Sequence, residues 1–175
     1  MLRLFLPTKH VDSFLDITPE ILKDLGKKGV IIDLDNTLIA WNQAHATEEV
    51  IQWLSSMKEN NIKVIVFSNN NEDRVTLFAN PLDIPYVFFA KKPLKRGFKK
   101  AIKLLGLDKS EIVVIGDQLL TDILGGNRSG LDTILVVPLV QSDAKITKFN
   151  RNMERMILNH FYRKGKLTRR DQSDE

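Results

Sequence analysis

The sequence predicts an α/β fold, a doubly wound, Rossmann-like parallel sheet of five strands, and two observations carry that prediction. Short β-branched apolar runs alternate one by one with segments of helical periodicity, the order that builds a parallel sheet through right-handed crossovers. The runs are also nearly continuous in hydrophobicity instead of alternating, as expected of strands covered by helices on both faces.

Taken in order, a short helix comes first. Thr18 is placed as its N-cap and Pro19 at its first turn, and it runs to Gly26. The first strand is residues 30–34. Thr47, followed by Glu48 and Glu49, then opens a helix whose apolar set is Val50, Ile51, Trp53, Leu54 and Met57, and Asn60 and Asn61 close it. Strand 63–67 leads to helix 72–80, which Pro81 stops. Strand 86–89 leads to helix 94–105, ended by Gly106. Strand 111–115 leads to helix 121–128, with Gly130 as its cap, and strand 133–137 completes the sheet. The glycine-rich stretch 125–130 follows a helix and lacks the Lys-Ser/Thr ending of a nucleotide loop, so it reads as a helix terminus.

A chain of 175 residues, 43% apolar and 27% charged, is sized for one domain, here expected over residues 1–175 with a basic C-terminal segment at 145–175. Cysteine is absent, which excludes disulfide scaffolds, thiolate nucleophiles and cysteine-ligated metals. No apolar run approaches the ~20 residues of a membrane-spanning helix. Arg3 and Pro7 interrupt the apolar start too early for an export signal, so a cytoplasmic protein is expected. The net charge of +4 divides unevenly: residues 1–144 sum to −1 and residues 145–175 to +5.

In an open parallel sheet the ligand crevice lies beyond the carboxyl ends of the strands. The first strand runs into Asp33, Asp35 and Thr37, the second into Ser68, Asn69, Asn70 and Asn71, the third into Lys91, Lys92 and Pro93, and the fourth into Gly116 and Asp117, with Asp122 soon after. Four carboxylates, a hydroxyl and a lysine therefore converge on one edge. So many acids need a countercharge, and an all-oxygen ligand set favours Mg²⁺. The three histidines, His10, His45 and His160, lack ligand spacing. Two acids at i and i+2 can divide the labour of phosphoryl transfer, one attacking phosphorus and the other moving protons. Ser68, with the amides of Asn69 and Asn70, is placed to hold phosphoryl oxygens, and Lys92 to neutralise them.

The string Asp33-Leu34-Asp35-Asn36-Thr37 resembles motif I of the haloacid dehalogenase (HAD) superfamily, and Ser68, Lys92 before Pro93, and Asp117 with Asp122 resemble its later motifs in order. The resemblance implies a HAD core with Asp33 as nucleophile and Asp35 as general acid/base. It also implies Mg²⁺ held by Asp33, the Asp35 carbonyl and Asp117, with Asp122 close by. More narrowly, VIIDLDNTL, VFSNNNE, AKKP and VIGDQLLTDILGGNRSG resemble the YqeG-type phosphatases of HAD subfamily IIIA, which are similar to phosphatidylglycerophosphate phosphatases.

Only 24 residues separate Leu38 from Lys63 and 23 separate Ser68 from Lys92, each interval already holding a helix, so no large cap domain fits. An open site of this kind can admit a headgroup still in a bilayer or the face of a macromolecule. The expected function is dephosphorylation of an anionic phospholipid, phosphatidylglycerophosphate, by a protein peripheral to the inner membrane face. Rival substrates are a phosphoprotein, a nucleic-acid end or a soluble sugar phosphate. A noncatalytic nucleic-acid-binding module is the rival class. With 2 Trp and 2 Tyr the chain lacks a stacking platform, so no nucleic acid is expected as partner.

Two basic features are left over. Lys91, Lys92, Lys95, Arg96, Lys99, Lys100 and Lys103 form a run without an acid, readable as a solvated helix face or as a field that steers anions to the site. In the tail, Ile146, Phe149, Met153, Met156, Ile157 and His160 or Phe161 recur at helical spacing among basic residues. That stripe is expected to pack on the sheet or to enter lipid, with residues 163–170 outside.

Overall fold

The structure, a computed structural model, describes residues 2–140 and 145–168, without the side chains of 145–151. Its chain order is β1 (Lys9–Val11), α1 (Pro19–Asp24), β2 (Gly29–Ile32), α2 (Glu48–Glu59), β3 (Lys63–Phe67), α3 (Glu72–Ala79) and β4 (Tyr86–Val87). Then follow α4 (Lys95–Leu105), β5 (Ile112–Gly116), α5 (Leu124–Ser129), β6 (Asp132–Val136) and α6 (Lys145–Arg163). All strand pairs are parallel, in the order β1-β6-β5-β2-β3-β4.

Among the described residues the sheet thus has six strands, not five. The additional strand, β1, is three residues, Lys9, His10 and Val11, paired with Ile134 to Val136 at the sheet edge. One covered face suffices at an edge, so no apolar run announces it; Thr8 N–H to Thr133 O (2.7 Å) fixes its register. The Asn127 side-chain amide also binds the carbonyls of Leu4 and Leu6, tying the first residues to α5.

The apolar runs divide by parity. Val30, Ile32, Val66, Val113, Ile115 and Ile134 face one way, against Trp53 and Met57 of α2 and Val75 and Phe78 of α3. Ile31, Ile65, Phe67, Ile112 and Val114 face the other way, against Phe98, Ala101 and Leu105 of α4. This two-sided burial is why the strands read as unbroken apolar runs.

The expected helix caps are present: Thr18 accepts from Ile21 N–H, Thr47 accepts from Val50 N–H, and Gly106 and Gly130 end α4 and α5 with φ of 63° and 77°. The helix expected at 121–128 is instead a π turn, Leu119–Ile123, running into α5. The strand expected at 86–89 stops at Val87, because Phe89 turns away with φ 43°. In α6, Phe161 is buried, and Ile157 and Leu158 pack on Leu119, Ile123 and Leu135, so this part of the stripe is core. Met156 and His160 face solvent, while Ile146 and Phe149 lie outside the described side chains. No helix among the described residues is long and apolar enough to cross a membrane.

Between β2 and β3 stands only α2, and between β3 and α4 only α3, a 3₁₀ turn and β4, so no large cap is inserted. From β2 the chain moves outward to β3 and β4, then returns to the other side for β5 and β6. The crevice opens at that reversal, beyond the carboxyl ends of β2 and β5.

Candidate active site

Asp33 follows β2 directly, its N–H still bonded to Ile115 O of β5 (2.9 Å). Asp117 follows β5, and Asp122 lies in the π turn that comes next. All three carboxylates are buried, and one oxygen from each falls within 4.8 Å of the others. Asp122 is seated by close approach. A Cβ on Gly116 would lie 2.3 Å from its Cγ, so only glycine fits there. Gln118 N–H then donates to Asp122 Oδ2 at 3.2 Å.

Lys92 enters from beyond β4, buried, with its Nζ donating at 2.7 Å both to Asp33 Oδ1 and to Asp122 Oδ1. Asn69 holds it there: Lys92 N–H donates to Asn69 Oδ1 (2.7 Å), and Asn69 Nδ2 donates back to Lys92 O (3.3 Å). The Asn69 side chain is therefore a brace for the lysine segment. Ser68 is buried at the end of β3, where its Oγ accepts from Asn70 N–H (3.0 Å). The Asn70 amide, expected to face phosphate, is thus turned to Ser68.

Asp35 stands apart from the three buried acids. Its Oδ1 accepts from Arg74 Nε (3.1 Å) and Nη2 (2.8 Å), and its Oδ2 from Asn70 Nδ2 (3.2 Å). Arg74 Nη1 is buried without a hydrogen-bond partner among the described residues. Sequence reasoning missed Arg74, since nothing in a helix-turn arginine announces a partner 39 positions away. It also gave no role to Thr37, whose buried hydroxyl donates to Asp117 Oδ1 (3.4 Å), although Thr37 stands inside the first motif.

Asp33, Asp35, Ser68, Asn69 and Lys92 line one cleft of about 340 Å³, together with Gln118 and Thr121. Asp117 and Asp122 lie beside Asp33 behind it. Burial pushes the Asp33 carboxyl up to about 6, helped by Asp122 and Asp35 and opposed by Lys92. Burial, then Asp33 and Asp122, raises Asp117 well above the carboxylate range. Burial alone would lower Lys92, but Asp122 and Asp33 outweigh it and hold the ammonium above its ordinary value.

The cluster itself tests the metal expectation. With all three acids ionised, one ammonium would leave two negative charges in a buried, all-oxygen site; burial together with that repulsion raises Asp33 and Asp117, and a hard divalent cation would relieve the repulsion. The 4.8 Å envelope is only slightly wider than the ~4.2 Å across an octahedral Mg²⁺ shell. Among the described residues, Asp33, Asp117 and Asp122 are the side chains grouped to hold such an ion; the Asp35 carboxylate is directed elsewhere. Beside that cluster, a carboxylate, a hydroxyl and an ammonium converge on a space sized for a phosphoryl group.

Comparisons with known proteins agree with this chemistry. Residues 40–130, which include Ser68, Lys92, Asp117 and Asp122, match the family model for haloacid dehalogenase-like hydrolase. The chain is 52% identical over 165 residues to the protein named probable phosphatase YqeG of Bacillus subtilis (strain 168), covering 94% of this chain and 96% of that one. It is 28% identical over 175 residues to the chloroplastic/mitochondrial phosphatidylglycerophosphate phosphatase 1 of Arabidopsis thaliana, covering 91% of this chain and 49% of that one. A solved structure from Legionella pneumophila, assigned to HAD subfamily III A, superposes with a TM-score of 0.51 at 19% identity over 82% of this chain and 94% of its own. At that identity the likeness is one of fold.

Proposed function

This chain belongs to the haloacid dehalogenase-like hydrolases, and we propose that it is a Mg²⁺-dependent phosphomonoesterase acting through an aspartyl phosphate on phosphatidylglycerophosphate. The observation that carries the reading is the buried Asp33 carboxylate, paired with Lys92 at the cleft wall while Asp35 is held separately by Arg74.

In the first half-reaction an Asp33 carboxylate oxygen attacks phosphorus in line, the ester P–O bond breaks, and the leaving oxygen takes a proton from Asp35. Lys92 and the Ser68 hydroxyl neutralise and orient the equatorial oxygens. In the second half-reaction Asp35 accepts a proton from water as the water oxygen attacks phosphorus, releasing phosphate and restoring Asp33. When bound, the divalent ion supplies charge neutralisation for the transferring group, and Asp33, Asp117 and Asp122 would hold it. Arg74 and Asn70 keep Asp35 from swinging into the buried cluster, preserving two carboxylates in two different roles.

The lipid substrate is supported by the open cleft and by similarity to the Arabidopsis protein, of which the chain spans about half. Purified protein with phosphatidylglycerophosphate in mixed micelles, compared with soluble sugar phosphates, tests it. Higher kcat/KM for the lipid is expected, and preference for a soluble ester would overturn the substrate. Loss of all turnover in EDTA is expected, and full activity without a divalent ion would overturn the metal assignment.

A further inference from the structure

Residues 89–96 flank Lys92, and at several of these positions the chain departs from what local physics prefers. Phe89 and Lys91 take left-handed backbone conformations (φ 43° and 55°), which favour Gly or Asn and disfavour a bulky side chain. Leu94 is the N-cap of α4 and makes no capping bond, where Ser, Thr or Asp would. Lys95 and Arg96 occupy the first turn of α4, the positive end of its dipole, where acids belong. Phe89 and Leu94 are nonetheless 56% and 54% exposed. The Phe89 ring meets Phe88 edge-on, with centroids 5.8 Å apart, yet stays largely exposed, and large apolar side chains displayed at positions better served by small polar ones mark functional surface.

These side chains share one groove. Phe88, Phe89 and Leu94 wall a hollow of about 460 Å³ over Val87, Ala90 and Gly97, and Lys91, Arg96 and Lys100 complete its lining. Lys100 Nζ lies 5.9 Å from the Phe88 ring centroid, so one of these cations leans toward the apolar wall. Six exposed cations, Lys91, Lys95, Arg96, Lys99, Lys100 and Lys103, lie on this segment and α4 with no acid between them. Phe89 N–H donates to Asn70 O (2.9 Å), and Asn70 lines the catalytic cleft, so groove and cleft open at one edge of the sheet. On another lip, Trp41 is 57% exposed, with its N–H on Asn36 Oδ1 (3.3 Å), and Asn36 lines the same cleft.

We propose that the Phe89–Leu94 groove and the cationic face of α4 dock this edge of the sheet on an anionic phospholipid bilayer, with the cleft facing the headgroups. The inference rests on the lipid-phosphate reading of the cleft. Exposed aromatic and aliphatic anchors ringed by lysine and arginine match the interfacial region, where apolar groups enter and basic groups meet anionic headgroups. The docking element is then the rim of the site, and the basic tail is not required for it.

The test is cosedimentation of the full chain with vesicles that contain phosphatidylglycerol and with vesicles of phosphatidylcholine alone. Wild type should bind the anionic vesicles, and salt should weaken that binding. Phe89→Asn with Leu94→Ser places residues suited to a left-handed turn and an N-cap, so its melting temperature should equal or exceed that of wild type. It should hydrolyse a soluble aryl phosphate at the wild-type rate and bind anionic vesicles about tenfold less tightly or worse. Lys95→Gln with Lys99→Gln and Lys100→Gln should lose the preference for anionic vesicles. Arg163→Gln with Lys164→Gln and Lys166→Gln should keep most of the binding. Undiminished binding by the Phe89/Leu94 variant, equal binding to both vesicle types, or loss only in the tail variant would overturn the proposal. Absence of aryl phosphate turnover in wild type would instead count against the phosphatase mechanism, because the vesicle measurements do not depend on it.

Discussion

Replacing Asp33 by Asn should abolish turnover and, in the metal-free protein at neutral pH, raise stability. Burial lifts the Asp33 carboxyl from its ordinary 3.8 to about 6, so the folded state binds this proton more tightly than the unfolded chain does. Stability contributed by such a group is full below the unfolded value and is lost as pH rises through the folded one, here between about pH 4 and 6. At about 1.4 kcal/mol per unit the shift corresponds to at most about 3 kcal/mol. For a chain of this size each kcal/mol moves the melting temperature by about 2–4 °C. In EDTA at pH 7.5 the Asp33→Asn protein should therefore melt several degrees above wild type, and the gain should vanish near pH 4.5, where Asp33 is protonated. Saturating Mg²⁺ should narrow the gap from the other side, because the ion stabilises the wild-type carboxylate cluster. Differential scanning calorimetry of both proteins across this pH range is the assay. Parallel melting profiles, with no pH-dependent difference between the two proteins, would refute the claim that Asp33 is a buried, strained anion.

Two further outcomes bear on the second carboxylate. Asp35→Asn should slow hydrolysis of an alkyl phosphate far more than that of an aryl phosphate, because only the poor leaving group needs protonation; equal losses in steady-state kcat would remove Asp35 from that role. Arg74→Met should reduce kcat about 10- to 100-fold by releasing the Asp35 carboxylate, and the loss should be larger for the alkyl ester. A purely structural Arg74 would leave the alkyl-to-aryl ratio unchanged.

Much of this site is readable in sequence because the fold and the chemistry use the same places. Asp33, Ser68, Lys92 and Asp117 each stand just beyond an apolar run, and in a parallel sheet those positions are neighbours whatever the helices between them contain. Residues that act through side-chain geometry were not readable. Arg74 meets Asp35 only because α3 returns beside the loop after β2, and Asn69 braces Lys92 only because β3 and β4 pair. The strand Lys9–Val11 is hidden for a related reason: a three-residue edge strand made of exposed Lys9, half-buried His10 and a single valine has no hydrophobic signature, and its place depends on β6. The exposure of Phe89 and Leu94 was hidden too, since in sequence they belong to an apolar strand and the start of a helix.

If Asp33 is the nucleophile it becomes phosphorylated, and borohydride reduction during turnover, followed by mass spectrometry of the peptide that carries it, detects that phosphorylation. An acyl phosphate is reduced by borohydride while a free carboxylate is not, so turnover should convert Asp33 to homoserine only when substrate is present. Reduction at Asp35, Asp117 or Asp122 instead, or an unmodified Asp33 in protein quenched during rapid hydrolysis, would contradict it.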